Sequence, residues 1–247
     1  MYTSPWLIRH SVPARPFRLY CFSYAGGNAA TYRPWAATLD DYIELTAVQL
    51  PGRAERFGEA PISSLPTLLL ELARELKRDA SVPFAFFGHS VGALIAFELA
   101  RHCHMNRLPT PQHLFLSGTT APQYRDASRG LHKMDDDGLI SVLKDYNGTP
   151  PEILKHRELM ELVLPTIRAD FALSENYIYD PSPLLDIPLT VLAGKQDDYS
   201  SLTQVEAWKE TTTNTCQVQW FDGDHFFIQS EQEAVIKLIN SRLRDSK

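Results

Sequence analysis

The chain has 247 residues, of which 44% are hydrophobic and 22% charged, and a formal net charge of −6. This composition excludes disordered, collagen-like and low-complexity chains, and the acidic balance excludes a chain-wide basic field for nucleic acid or anionic lipid. At about 150 residues per domain, the length falls between one domain and two.

The arm 1–17 is broken by Pro5, Arg9, His10, Pro13, Arg15 and Pro16. It has no apolar run of the kind a secretory signal needs, and no stretch of the chain approaches the ~20 apolar residues of a membrane span. Residues 17–23 are the first predicted strand and 43–50 the second, both short runs rich in apolar, aromatic or β-branched residues. Leu65, Leu68, Leu69, Leu72 and Leu76 then recur at helical spacing as one apolar stripe. A third strand is predicted at 84–87, followed by a helix from Ala93 to Ala100 that is apolar nearly all round. A fourth strand lies at 113–117.

Between about 121 and 186 no strand pattern appears. Asp135-Asp136-Asp137 is suited to a helix N-terminus, ahead of Leu139, Val142, Leu143 and Tyr146 at helical spacing. Gly148-Thr149-Pro150-Pro151 interrupts the chain, and Leu159, Leu162, Val163, Ile167 and Phe171 give a second stripe. Pro181 and Pro183 close the region. Strands return at 189–193 and 216–221, and Val235, Leu238, Ile239 and Leu243 form the last helical stripe. Alternating strands and helices predict an α/β fold with a mostly parallel, doubly wound sheet. A single domain, 1–247, with a helical insertion at about 121–186 accounts for the surplus length.

Gly88-His89-Ser90-Val91-Gly92 is a GxSxG sequence placed between a predicted strand and a predicted helix. A sharp strand-to-helix turn of this kind is a nucleophile elbow, which lifts a serine hydroxyl above the sheet. That hydroxyl needs a base to take its proton. On this scaffold serine, acid and histidine follow in chain order, after later strands. Of the eight histidines only His225 lies beyond the last predicted strands. The acid belongs in the loop after 189–193, where Asp197 is the first choice and Asp198 the reserve; it would hold the imidazole in one tautomer. Asp222 and Asp224 are sequence neighbours of His225 and poorly placed to face its ring. A developing oxyanion would be met by the backbone N–H of Val91 and by a second N–H from Tyr24-Ala25-Gly26-Gly27-Asn28, with Ala25 preferred and Gly26 the alternative. Cys21, Cys103 and Cys216 are too widely spaced for a disulfide framework, which favours a reducing compartment. His102-Cys103-His104 has adjacent side chains that point apart on a helix, so no metal site is expected.

At this point the chain resembles the type II thioesterases that stand beside nonribosomal peptide and polyketide synthases. Phe22-Ser23-Tyr24-Ala25-Gly26-Gly27 is similar to the family's opening loop. Leu50-Pro51-Gly52-Arg53, with Glu55-Arg56 behind it, is similar to its PGR motif, and 88–92 to its elbow. Gly148-Thr149-Pro150, Leu164-Pro165, Arg168-Ala169-Asp170-Phe171, Tyr177 and Tyr179 resemble its lid. Gly194 with Asp197, and Gly223-Asp224-His225-Phe226-Phe227, resemble its acid and base loops. Val91 departs from the family, where methionine is common, but only its backbone N–H is needed.

The resemblance implies an α/β-hydrolase fold with a helical lid. It implies a Ser90, Asp197 and His225 triad that removes acyl groups, through an acyl-serine, from the phosphopantetheine arm of carrier proteins. The enzyme would need no cofactor of its own, since the phosphopantetheine arrives on the carrier. A free-standing cytoplasmic monomer is expected, with no nucleic-acid or membrane partner. Arg53 and Arg56 are weighed as contacts to an acidic carrier or its phosphate and equally as ordinary loop charges. Two other readings compete: an esterase, lipase or acyl-CoA thioesterase working on free small molecules, and a non-catalytic module that binds carriers.

Overall fold

The computed structural model describes residues 4–10, 14–125, 127–146, 148 and 151–245. Strands β1 (Leu7–Arg9), β2 (Phe17–Phe22), β3 (Ile43–Val48), β4 (Phe84–His89), β5 (Leu114–Ser117), β6 (Leu189–Gly194) and β7 (Cys216–Phe221) form one sheet in the order β1-β3-β2-β4-β5-β6-β7. All neighbours pair in parallel except β1, which runs antiparallel to β3 with Leu7 opposite Val48. Every residue of β2 to β6 is buried, because helices cover both faces and leave no solvated side. Edge strand β7 instead alternates partly buried and exposed residues. β1 arises from the arm that the sequence left unassigned; three residues carry too little periodicity to be read.

Helices α1 (Leu65–Asp79) and α2 (Val91–Met105) pack on one face of the sheet. Ser64 caps α1 by accepting from the Thr67 N–H, and the predicted leucine stripe is its buried side. The short α6 (Leu202–Glu206) opens with a capping box between Ser201 and Gln204. α7 (Phe227–Ser230) and α8 (Gln232–Asp245) complete the chain. On the second face, Tyr32 and Trp35 of a 3-10 segment, Ala29–Ala37, pack with Phe87, Ile236 and Ile239. In α8 the buried positions are Val235, Ile236, Ile239 and Leu243; Leu238, assigned to that stripe from the sequence, is only partly covered. Full burial of one such side chain contributes about 1.5–3 kcal/mol.

Between β5 and β6 the described residues contain no strand, only one bridge residue at Leu185. They form α3 (Asp136–Tyr146), α4 (Pro151–Lys155) and α5 (Arg157–Glu175). Asp135 caps α3 by accepting from the Gly138 N–H at 2.8 Å. These helices share an apolar cluster of Leu131, Leu139, Leu143, Met160, Leu164 and Ile167. The predicted stripe on α5 holds at Ile167, which is buried, and in part at Val163 and Phe171, which pack against the cluster; Leu159 and Leu162 are exposed, and Met160 and Leu164 are buried in their place. Both sets fit a helical period, and only contact with α3 selects between them. Thr149 and Pro150 of the predicted break lie outside the described residues. No helix among the described residues is long and apolar enough to cross a membrane.

The parallel register sets Phe22 beside Gly88, His89 beside Ser117, and Gly194 beside Phe221. The carboxyl ends of β2, β4, β5, β6 and β7 therefore lie along one edge of the sheet, where α/β folds bind ligands.

Candidate active site

Ser90 stands between β4 and α2 with φ 58° and ψ −117°, a conformation that L-residues avoid unless surroundings impose it. Two hydrogen bonds fix it: its N–H donates to the Ser117 carbonyl at 2.8 Å, and its carbonyl accepts from the Ala93 N–H at 3.1 Å. The flanking glycines permit the turn. A Cβ on Gly88 would lie 2.2 Å from the Gly92 carbonyl oxygen, and one on Gly92 would lie 2.2 Å from that of Phe22. Neither backbone atom can move aside. Val91 opens α2, so its N–H belongs to the unpaired first turn of the helix, which favours negative charge.

The loop after β7 carries His225 and the loop after β6 carries Asp197. Nδ1 of His225 lies 2.9 Å from Oδ2 of Asp197, and both side chains are buried. A carboxylate oxygen can only accept, so Nδ1 carries the proton and Nε2 keeps its lone pair. Oδ1 of Asp197 accepts from the Tyr199 N–H at 3.0 Å, which orients the carboxylate. Asp198 is exposed and does not meet the ring. Asp222 pairs with Lys195 at 2.7 Å, and Asp224 accepts from the Phe226 N–H at 2.8 Å.

Ala25, Ser90, Val91 and His225 line one cavity of about 600 Å³ beneath the inserted helices. A smaller apolar recess of about 30 Å³ branches from Ser90 and His225, walled by Tyr24, Leu143, Phe171 and Phe226. The alternative oxyanion donor, Gly26, is ruled out by its partner: its N–H donates to Oδ2 of Asp170 at 2.8 Å. Ala25 lines the cavity and is the remaining candidate donor from this loop.

The idea that Arg53 and Arg56 contact a carrier is overturned by their burial, at 7% and 6% exposed. Arg53 forms a two-pronged ion pair with Asp170, Nη1 to Oδ2 at 2.7 Å and Nη2 to Oδ1 at 2.8 Å. Arg56 lies over the Trp6 ring at 4.0 Å and donates to the Gln49 carbonyl at 2.9 Å and to Glu59. Neither is a surface charge.

Three neighbours of the site escaped the sequence reading. His89 is fully buried, its Nδ1 is 2.9 Å from the Ser117 hydroxyl, and its ring centroid is 5.2 Å from that of His225. Burial, and secondarily the nearby His225, hold its pKa well below the usual histidine value, so it stays neutral. Tyr199 and Tyr146 cover His225 from the acid loop and from α3; the latter had registered only as a helix-stripe residue. In the triplet 102–104, Cys103 is buried and His104 exposed.

A thioesterase domain model matches residues 17–243. The chain is 37% identical over 240 residues to the gramicidin S biosynthesis protein GrsT of Aneurinibacillus migulanus, covering 97% of this chain and 94% of that protein. It is 39% identical over 245 residues to a Brevibacillus parabrevis protein called linear gramicidin dehydrogenase LgrE, covering 98% and 93%. Among solved structures, the type II thioesterase BorB from the borrelidin biosynthetic cluster superposes with a TM-score of 0.90 at 32% identity, covering 98% of this chain and 99% of that one. The sheet, the elbow on β4 and these similarities agree: the chain is a thioester hydrolase of the α/β-hydrolase fold and belongs to the type II thioesterases associated with nonribosomal peptide and polyketide synthesis.

Proposed function

We propose that this enzyme cleaves acyl groups from the phosphopantetheine arm of carrier proteins, clearing misprimed or stalled units from a synthase. The observation that carries the reading is the 2.9 Å contact between His225 Nδ1 and Asp197 Oδ2, at a cavity that Ser90 also lines. Ser90 Oγ attacks the thioester carbonyl carbon while His225 Nε2 takes its proton. The N–H groups of Ala25 and Val91 hold the resulting oxyanion. The C–S bond then breaks, and the carrier thiol leaves with the proton returned by His225. Water, deprotonated by His225, attacks the acyl-serine, and the carboxylic acid departs as Ser90 is reprotonated. Asp197 keeps the imidazole in the required tautomer and stabilises its protonated form.

The inserted helices serve as a lid in this reading, and the enzyme works as a cytoplasmic monomer beside its synthase, with no cofactor of its own. A net charge of −6 sets global electrostatics against docking to an acidic carrier, so binding rests on local contacts and on the arm entering beneath the lid. The name dehydrogenase borne by one relative finds no support in the glycines of this chain. No two of its 12 stand two apart, as the G-x-G of a dinucleotide-binding turn requires.

The test is competition between substrate classes. An acyl-loaded carrier protein and the matching free ester are each incubated with the enzyme, and the carrier is followed by intact mass. Loss of the acyl mass at a kcat/KM well above that for the ester supports the reading. Rapid ester cleavage with an untouched carrier supports an esterase, and turnover of neither supports a non-catalytic binding module.

A further inference from the structure

The turn that carries Ala25 is pinned from outside by an ion pair that spans the lid and the core. Within the turn, the Tyr24 carbonyl accepts from the Gly27 N–H at 2.9 Å. That bond fixes the peptide plane between Tyr24 and Ala25, and the Ala25 N–H must point the opposite way from the carbonyl. The next two backbone groups are held by the ion pair. The Gly26 N–H donates to Asp170 Oδ2 at 2.8 Å, and the Gly27 carbonyl accepts from Arg53 Nη1 at 3.0 Å. Asp170 is 1% exposed and belongs to α5; Arg53 follows β3 and is almost as deeply buried.

α5 meets the same region at two further points. Thr166 donates to the Gly52 carbonyl at 2.7 Å. Gly26 has φ 76°, and a Cβ there would lie 2.9 Å from Ile167 Cγ1, so the helix seats directly on the turn. Burying a carboxylate and a guanidinium is costly, and replacing such a pair by apolar groups is often neutral or stabilising. Stapling the lid alone therefore does not require these charges. What they supply, and apolar packing does not, is an acceptor for one backbone N–H and a donor for one carbonyl in the turn that bears Ala25.

We propose that Asp170 is a positioning residue for the oxyanion hole: its ion pair with Arg53 lets the lid helix set the direction of the Ala25 N–H. This rests on Ser90 as nucleophile and Ala25 as donor. The chain thereby couples lid seating to transition-state stabilisation. When α5 is in place the turn is held on both sides; when it lifts, the turn loses the Gly26 bond and the partner that orients Arg53, and keeps its internal bond and the bond from Arg53 on the core side.

The test uses the full-length enzyme and the variants Asp170→Asn, Asp170→Ala and Arg53→Lys, with melting curves to verify folding. Each is assayed for kcat and KM on an acyl N-acetylcysteamine thioester. Each is also assayed for inhibition by the matching trifluoromethyl ketone, whose serine adduct carries an oxyanion. Misplacing one donor should lower kcat by about 10- to 100-fold, with KM within about threefold. Inhibition by the ketone should weaken in parallel with kcat/KM. Asp170→Asn keeps an acceptor for Gly26 and should lose less than Asp170→Ala. Arg53→Lys keeps the charge but not the two-pronged geometry, and it decides the matter should the Asp170 variants not fold. A lower melting temperature with kcat and ketone affinity unchanged, or an effect confined to KM, overturns the proposal. Ser90→Ala run alongside separates the two readings, because full activity there would remove the serine mechanism and not the positioning role alone.

Discussion

Tyr146 of α3 lies flat on Tyr199 of the acid loop, with ring centroids 4.1 Å apart and planes 13° apart. Both rings meet His225 edge-on, at 5.5 and 5.6 Å. The Arg129 guanidinium sits over both tyrosines and donates to the Tyr146 hydroxyl at 2.6 Å. The inserted helix α3 thus reaches His225 through an aromatic stack capped by a cation. An aromatic pair of this kind contributes about 0.5–1.5 kcal/mol beyond its burial. Tyr146→Ala should raise KM for an acyl thioester by about 3- to 10-fold and change kcat less. An unchanged KM would mean that the stack does not wall the substrate cavity in solution.

Two adjacent carboxylates have opposite environments, and their variants should separate sharply. Asp197 is buried against Nδ1 of His225, and Asp198 is exposed. Asp197→Asn leaves an amide that favours the wrong imidazole tautomer and should lower kcat by about 10⁴. Asp198→Asn should stay within about threefold of wild type. The reverse ranking, in steady-state kinetics on one thioester, would reassign the acid.

Stability should fall as the solution is acidified, for a reason separate from catalysis. Burial pushes His89 well below 6.5 and His113 down to about 4, and both therefore stay neutral in the folded state at mildly acid pH. The unfolded chain protonates both near 6.5, so below that pH it binds more protons than the folded chain. Their contribution is thus fully present above about pH 6.5 and is lost as pH falls, for His113 down to about 4, at ~1.4 kcal/mol per unit per group. Between pH 7 and pH 5 the loss from His113 is about 2 kcal/mol, and His89 adds to it in the same direction. Urea midpoints at several pH values measure it, and His113→Leu should remove about half of the slope. A flat profile between pH 7 and 5 would show that the buried imidazoles are protonated in the folded state.

The elbow glycine should tolerate no side chain, in contrast to a glycine in open space. Gly88→Ala places a methyl 2.2 Å from a backbone oxygen, whereas Gly58→Ala meets nothing within 4 Å. We expect Gly88→Ala to lose about 3 kcal/mol or more, or to be insoluble, and Gly58→Ala to melt within a degree or two of wild type. Equal melting temperatures would contradict the close approach of β4 to α2.

The residues proposed to carry chemistry were readable because each depends on local context or chain order. Ser90 is framed by two glycines at a strand end, and His225 is the sole histidine beyond the last strand. The central strands were readable because burial on both faces leaves mostly apolar runs, interrupted by a few buried polar residues such as Arg18 and Glu44. What escaped depends on contacts between distant segments. Arg53 looks like a surface charge until Asp170, 117 residues away, meets it in the interior. Gly26 stays open as the alternative to Ala25 until that same carboxylate takes up its N–H. Over the first turns of α5 the sequence alone does not choose between Leu159 with Leu162 and Met160 with Leu164, and β1 forms as an antiparallel edge strand on β3.

The most direct test of Ser90 as the nucleophile follows an acyl-loaded carrier protein by intact mass, with wild-type enzyme and with Ser90→Ala. Wild type should strip the acyl group and return the free phosphopantetheine thiol. Folded Ser90→Ala should leave the load in place, slower by about 10³-fold or more, with any residue of activity supplied by the oxyanion hole and the cavity. Unloading by Ser90→Ala at the wild-type rate would contradict the serine mechanism outright.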